Sequence, residues 1–131
     1  MTITTTPESS KLNVLVVDDE EDIRFLIAEI LRNEGYRVTE AASAAEAEVA
    51  ALIQTPDLVL MDIGMPGVDG LSAVWRLREH PELAGVPVVI VSANDAFDLR
   101  AEAAAQGCKG YLTKPLDIAL LRSIAGEILR S

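Results

Sequence analysis

Leu58–Met61 reads LVLM, follows Pro56-Asp57 and runs straight into a carboxylate, Asp62. Unbroken apolar character over four residues suits a strand covered on both faces, as in a parallel sheet. A strand with one wet face would alternate. Leu12–Val17 (LNVLVV) and Val88–Val91 (VVIV, after Pro87) read the same way. Two weaker runs complete a set of five: Arg37–Ala41, short and alternating, and Lys109–Leu112.

Helical patterns separate these runs. Ile23, Leu26, Ile27, Ile30 and Leu31 share one face of a first helix, which Gly35 closes in a left-handed conformation. Ser43 and Glu46 form a capping box for an Ala-rich second helix. Asp69 caps a third, carrying Leu71, Val74 and Trp75 in its buried stripe, with Pro81 beyond its end. Asp95 opens a fourth, Ala-rich and closed by Gly107, and Leu120, Leu121, Ile124 and Ile128 stripe a fifth. Strict strand–helix alternation implies an α/β fold, with a parallel sheet, right-handed crossovers and helices on both faces. Ligands of such sheets bind beyond the carboxyl ends of the strands, so the residues there carry the functional reading.

The chain has 131 residues, the size of one domain with one core. Aromatics make up only 4%, so that core is built from Val, Ile, Leu and Ala. Eleven Lys and Arg against 21 Asp and Glu give a net charge of −10, which argues against nucleic acid and anionic membranes as partners. A single cysteine, Cys108, allows no intrachain disulfide and fits a reducing, cytoplasmic setting. No run of about 18 apolar residues is present. Residues 1–10, rich in Thr and Ser, lack the features of a signal peptide. They read as a flexible tail before a domain spanning 11–131.

Asp18 and Asp19 follow the first strand, Asp62 the third, Ser92 the fourth, and Thr113, Lys114 and Pro115 the fifth. The acidic run continues through Glu20, Glu21 and Asp22, which suit the positive end of the first helix. Asp18 and Asp19 fit that explanation less well, because they directly end a buried strand. Loss of water and a like-charged neighbour both raise a carboxylate's pKa. A cluster with Asp62 calls for a hard divalent cation. Mg²⁺ suits few carboxylates, retained waters and phosphate oxygens. Asp62 is then a further metal ligand, a capped turn residue, or a nucleophile toward phosphorus, giving an aspartyl phosphate. Lys114 supplies positive charge, Ser92 a hydroxyl, and Pro115 a tight turn, cis included, that aims Lys114 over the strand ends.

Four motifs in order, VVDDE (Val16–Glu20), LVLMDIGMPGVDG (Leu58–Gly70), VVIVSAN (Val88–Asn94) and GYLTKP (Gly110–Pro115), resemble the receiver domain of two-component response regulators. The intervals are 43 residues from Asp19 to Asp62, 30 to Ser92 and 22 to Lys114. Together they are far more specific than any one alone, and the resemblance runs from about Leu12 to Arg130.

The resemblance implies a flavodoxin-like three-layer αβα sandwich, with strand order 2-1-3-4-5 and five helices. It implies that Asp62 is the phosphoacceptor and that Asp19, Asp62 and the Gly64 carbonyl bind Mg²⁺, with Asp18 acting mainly through metal-bound water. Ser92 and Lys114 then contact the phosphoryl group, and the Lys114–Pro115 bond is cis. Ser92 and Tyr111 form the switch pair, read out on the surface of helix four, strand five and helix five. The donor is a sensor histidine kinase or a histidine phosphotransfer protein, and the recipient of the signal is a downstream protein. The receiver acts as a monomer or as a phosphorylation-dependent dimer, with self-phosphorylation from small donors and autodephosphorylation. Gly64 and Asn94, two residues after Asp62 and Ser92, are less typical of the family. They flank the path of the hydrolytic water and imply a phosphoryl lifetime that is not unusually long.

Other readings are weaker. A flavin-nucleotide module would want backbone donors after strand one, where this chain has carboxylates. An aspartyl-nucleophile phosphatase needs a second acid–base group and usually a cap. A phosphate-independent scaffold would survive Asp62→Asn. A receiver acting without an output domain is favoured over one cut from a longer regulator or hybrid kinase. His80 reads as an ordinary surface residue. Arg24 and Phe25 begin the first helix, a region that in the family often meets the phosphoryl donor, and Arg24 reads equally well as an ordinary exposed arginine. Cys108 reads as a small apolar filler.

Overall fold

The computed structural model describes residues 11–65, 71–94 and 96–130. In chain order they form β1 Asn13–Val17, α1 Glu21–Asn33, β2 Arg37–Ala41, α2 Ala44–Ile53, β3 Leu58–Asp62, α3 Ser72–Arg78, a 3₁₀ turn Pro81–Leu83, β4 Val88–Ser92, α4 Phe97–Ala105, β5 Gly110–Thr113 and α5 Ile118–Leu129. The strands make one parallel sheet of order β2-β1-β3-β4-β5. The predicted caps Asp69 and Asp95 and the tail 1–10 lie outside the described residues.

Every residue of β1, β3 and β4 is buried, which is why these strands are continuous in hydrophobicity. Their side chains divide by the two-residue period of a strand. Leu15, Val17, Val59, Met61, Val88 and Ile90 face one layer, with α2, α3 and Ala103 of α4. Val14, Val16, Leu58, Leu60, Val89, Val91 and Leu112 face the other, with Ile27 and Leu31 of α1 and Leu121 and Ala125 of α5. Each such side chain, fully buried, contributes about 1.5–3 kcal/mol.

The helix ends follow local chemistry. Gly35 and Gly107 take φ of +93° and +83°, where a side chain would be strained. Ser43 Oγ accepts from the Glu46 amide at 3.1 Å. The reciprocal arm of the expected capping box goes one residue further back, with Glu46 Oε1 3.5 Å from the Ala42 amide.

Three expected core residues are exposed: Leu26, Leu120 and Trp75, the last at 57%. A helix lying on a sheet buries a narrow stripe. In α3 that stripe is Ala73, Val74 and Leu77, and Trp75 projects to its side. His80 is less free than expected. Its Nε2 lies 2.8 Å from Glu48 Oε2, and Arg76 Nη2 lies 3.0 Å from Glu48 Oε1, tying the end of α3 to α2. The His80 hydrogen bond, with help from Arg76, holds the Glu48 carboxyl below its ordinary pKa.

Candidate functional site

β1, β3 and β4 end side by side, because Val17 pairs with Met61 and Asp62 with Val91. The chain therefore leaves the sheet at one edge with Asp18, Asp62 and Ser92 in adjacent positions, all three buried. Carboxylate oxygens of Asp18, Asp19 and Asp62 lie within 4.8 Å of one another, and Asp19 is the exposed member. Oxygen donors this hard and this close suit Mg²⁺ in preference to a softer ion.

Main-chain contacts fix the two buried carboxylates. Asp18 Oδ1 accepts from the Glu20 amide at 2.9 Å, and Asp62 Oδ1 accepts from the Gly64 amide at 2.8 Å. A Cβ added at Gly64 would come 3.3 Å from Asp62 Oδ1, so glycine keeps this side of the carboxylate open. Arg24 braces the loop after β1: its Nη1 donates to the Asp18 carbonyl at 2.9 Å and its Nε pairs with Glu40 at 3.2 Å. From sequence alone Arg24 is either a partner-facing residue or an ordinary exposed arginine, and neither reading contains this brace. The missing signal is the β1–β2 pairing, which brings Glu40 beside it.

Lys114 reaches this cluster from β5. Its backbone amide bonds the Ser92 carbonyl at 2.8 Å, and the Lys114–Pro115 bond is cis, as the resemblance implied. Its Nζ lies 2.9 Å from Asp18 Oδ2, 3.3 Å from Asp62 Oδ2 and 3.4 Å from Glu20 Oε1. Glu20, expected only to favour the helix dipole, thus also meets the ammonium. Burial pushes the Asp62 carboxyl above the usual carboxylate range. The Gly64 amide opposes that rise, Asp18 adds to it and Lys114 again opposes it. Burial disfavours the Lys114 ammonium, but Asp18 and then Asp62 outweigh it and hold its pKa above the ordinary lysine value.

Ser92 and Tyr111 meet through one intermediary. The Asn94 amide donates to Ser92 Oγ at 3.0 Å, while the Asn94 carbonyl accepts from the Tyr111 hydroxyl. Asn94 Oδ1 in turn accepts from the Ala96 amide at 2.9 Å, so its side chain closes its own turn. The Arg100 guanidinium lies 4.7 Å from the centre of the Tyr111 ring, a contact that sequence reading missed because it joins α4 to β5. Cys108 is half-buried against the core, and burial pushes its thiol up, in keeping with a filler.

Residues 14–125 match the response regulator receiver domain family. Over 116 residues the chain is 33% identical to Protein PilH of Pseudomonas aeruginosa, covering 88% of this chain and 96% of that one. It is equally similar, at 33% identity, to sporulation initiation phosphotransferase F of Bacillus subtilis, with 88% and 92% covered. The probable transcriptional regulatory protein TcrX of Mycobacterium tuberculosis is 37% identical over 112 residues, but the chain (85% of it matched) spans only 47% of that longer protein. Among solved structures, chemotaxis protein CheY4 of Vibrio cholerae superposes with a TM-score of 0.85 at 27% identity, covering 91% of this chain and 99% of that one. No helix among the described residues is long and apolar enough to cross a membrane.

Proposed function

Because the chain belongs to the response regulator receiver domain family, we propose that Asp62 accepts a phosphoryl group and that this event switches the surface around Tyr111. The observation that carries the reading is the setting of Asp62: a buried carboxylate at the end of β3, beside Asp18 and Asp19 and 3.3 Å from an ammonium. A carboxylate merely capping a turn needs neither the second acid nor the lysine.

Asp19, Asp62 and the Gly64 carbonyl would hold Mg²⁺, with Asp18 close behind. Bound there, the ion would neutralise charge on the phosphoryl oxygens. The remaining work falls to the chain. An Asp62 oxygen forms a bond to phosphorus as the bond to the donor's imidazole nitrogen breaks. The departing imidazole keeps that electron pair and takes up a proton. Lys114, already aimed at Asp62, turns its ammonium to a phosphoryl oxygen. The Ser92 hydroxyl donates to another, which requires it to reorient from the Asn94 amide. Asn94 also holds the Tyr111 hydroxyl, so displacing this loop frees the ring to turn inward.

The phosphoryl source is a histidine kinase or a histidine phosphotransfer protein, as suits the family, and small acyl-phosphate donors serve in its place. A receiver domain over residues 11–131, working in the cytoplasm, suits a chain that matches 96% of PilH and 92% of sporulation initiation phosphotransferase F. The open side of Asp62 at Gly64 favours a phosphoryl group that does not persist unusually long. Hydrolysis of the Mg²⁺-bound phosphoprotein that is slow for a receiver would contradict that lifetime.

Beryllofluoride, a stable mimic of the aspartyl phosphate, tests the switch. With Mg²⁺ it is expected to move the amide resonances of Ser92, Asn94 and Tyr111 and to leave them in place in Asp62→Asn. Shifts confined to the Asp18–Asp62 edge would leave the pocket and remove the switch.

A further inference from the structure

Asp18, Asp19 and Asp62 are not held alike. Asp18 Oδ1 and Asp62 Oδ1 each accept from a main-chain amide, at 2.9 and 2.8 Å. The exposed Asp19 carboxylate has no hydrogen bond or ion pair among the described residues. Its direction is therefore set by the backbone that carries it. The peptide from Asp18 to Asp19 is planar, so whatever fixes the Asp18 carbonyl also fixes the Asp19 amide in the same plane.

One side chain does this. Arg24 Nη1 donates to the Asp18 carbonyl at 2.9 Å. On the other side of the residue, the Asp18 amide donates to the Ala41 carbonyl at 3.1 Å. Glu40 holds the guanidinium in turn. Arg24 Nε donates to its Oε1 at 3.2 Å, and Arg32 Nη2 occupies its Oε2 at 3.3 Å. The Arg24 and Glu40 side chains are 16% and 21% exposed, so solvent screens this pair incompletely. Among the described residues Arg24 makes its ion pair with Glu40 and none with the three aspartates.

We propose that Arg24, oriented by Glu40, is a positioning residue for the divalent cation: it aims Asp19, and its loss weakens Mg²⁺ binding. This rests on the Mg²⁺ reading of the pocket. Arginine suits the role because one planar guanidinium reaches the carbonyl through Nη1 and the carboxylate through Nε. A lysine ammonium is a point charge on a flexible stem. Charge and geometry predict opposite signs here. A cation beside an acidic pocket repels Mg²⁺, so its removal would by charge alone tighten binding. Removal of the brace frees Asp19 and weakens binding.

The test is a titration of the ¹⁵N-labelled full chain with Mg²⁺ at constant ionic strength, read at the Asp19 and Gly64 amides. Wild type, Arg24→Met and Arg24→Lys are compared, each with a thermal melt in the absence of Mg²⁺. Both variants are expected to bind roughly tenfold more weakly, the lower end of the range for losing a group that orients a metal ligand. Glu40→Gln is expected to weaken binding by a smaller factor, since Nη1 still reaches the carbonyl. Arg76→Met, which removes a cation from the other helical layer, is expected to leave the affinity unchanged. A lower melting temperature with unaltered Mg²⁺ affinity would assign Arg24 to the fold alone and overturn the proposal. Tighter binding in Arg24→Met, or unchanged affinity in Arg24→Lys, would overturn it too. A wild-type chain without saturable Mg²⁺ shifts would overturn the metal reading of the pocket along with it.

Discussion

Asp57 and Asp62 flank the same strand, one before its first residue and one at its last, and they live in opposite circumstances. Asp57 is exposed, and its Oδ2 accepts from the Asn13 amide at 2.7 Å, pinning the start of β1 to the start of β3. Asp62 is buried, receives the Gly64 amide, and faces a second buried carboxylate across the end of β1. One aspartate serves the fold. The other burdens it, since burial and Asp18 both penalise its charge. A carboxylate held at a strand end with its pKa raised is the candidate for chemistry, since displaced pKa values cluster at functional sites.

The comparison can be broken at several points. Short of replacing Asp62 itself, the largest effect is expected at Lys114, which opposes the charge of both Asp18 and Asp62. Lys114→Met should slow phosphorylation by small donors roughly 100-fold, the scale for losing one preorganised charge-stabilising donor. Rates followed by tryptophan fluorescence or phosphoprotein mass would check this. Loss of a core contact beneath the site comes next. Leu60→Ala, in the layer shared with α1 and α5, is expected to cost about 2–5 kcal/mol in a urea melt.

Asp57→Ala should cost about 1 kcal/mol, the worth of one hydrogen bond, and leave phosphorylation untouched. Asp62→Asn should do the reverse, removing phosphorylation while raising the melting temperature of the Mg²⁺-free protein. The sign follows from the raised pKa of Asp62. A carboxyl that holds its proton more tightly when folded stabilises below the ordinary carboxylate range, and that contribution is lost as pH rises through the folded value. The gain from Asp62→Asn is therefore present at neutral pH and disappears below about pH 4. A lower melting temperature for Asp62→Asn at neutral pH would place Asp62 with Asp57, as a residue serving the fold.

Much of this was legible in sequence because buried parallel strands write themselves as unbroken apolar runs. LVLM and VVIV each extended by just one residue, to Asp62 and Ser92, when hydrogen bonding defined the ends. The site was legible for a related reason: polar residues that directly end such runs have one place to go, the edge of the sheet. What stayed hidden depends on neighbours distant in sequence. The Arg24–Glu40 brace spans 16 residues, His80–Glu48 spans 32, and Tyr111–Asn94 spans 17. Trp75 and Leu120 misled because apolarity at helical spacing marks a face, whereas the width of that face against a sheet is set by packing.

The central claim is that Asp62 receives the phosphoryl group. Intact-protein mass measured after incubation with Mg²⁺ and a small phosphoryl donor tests it most directly. The account predicts the gain of one phosphoryl group, mapped to the peptide containing Asp62 and absent from Asp62→Asn. An undiminished gain in Asp62→Asn, or a label mapped to another residue of the wild-type chain, would contradict it.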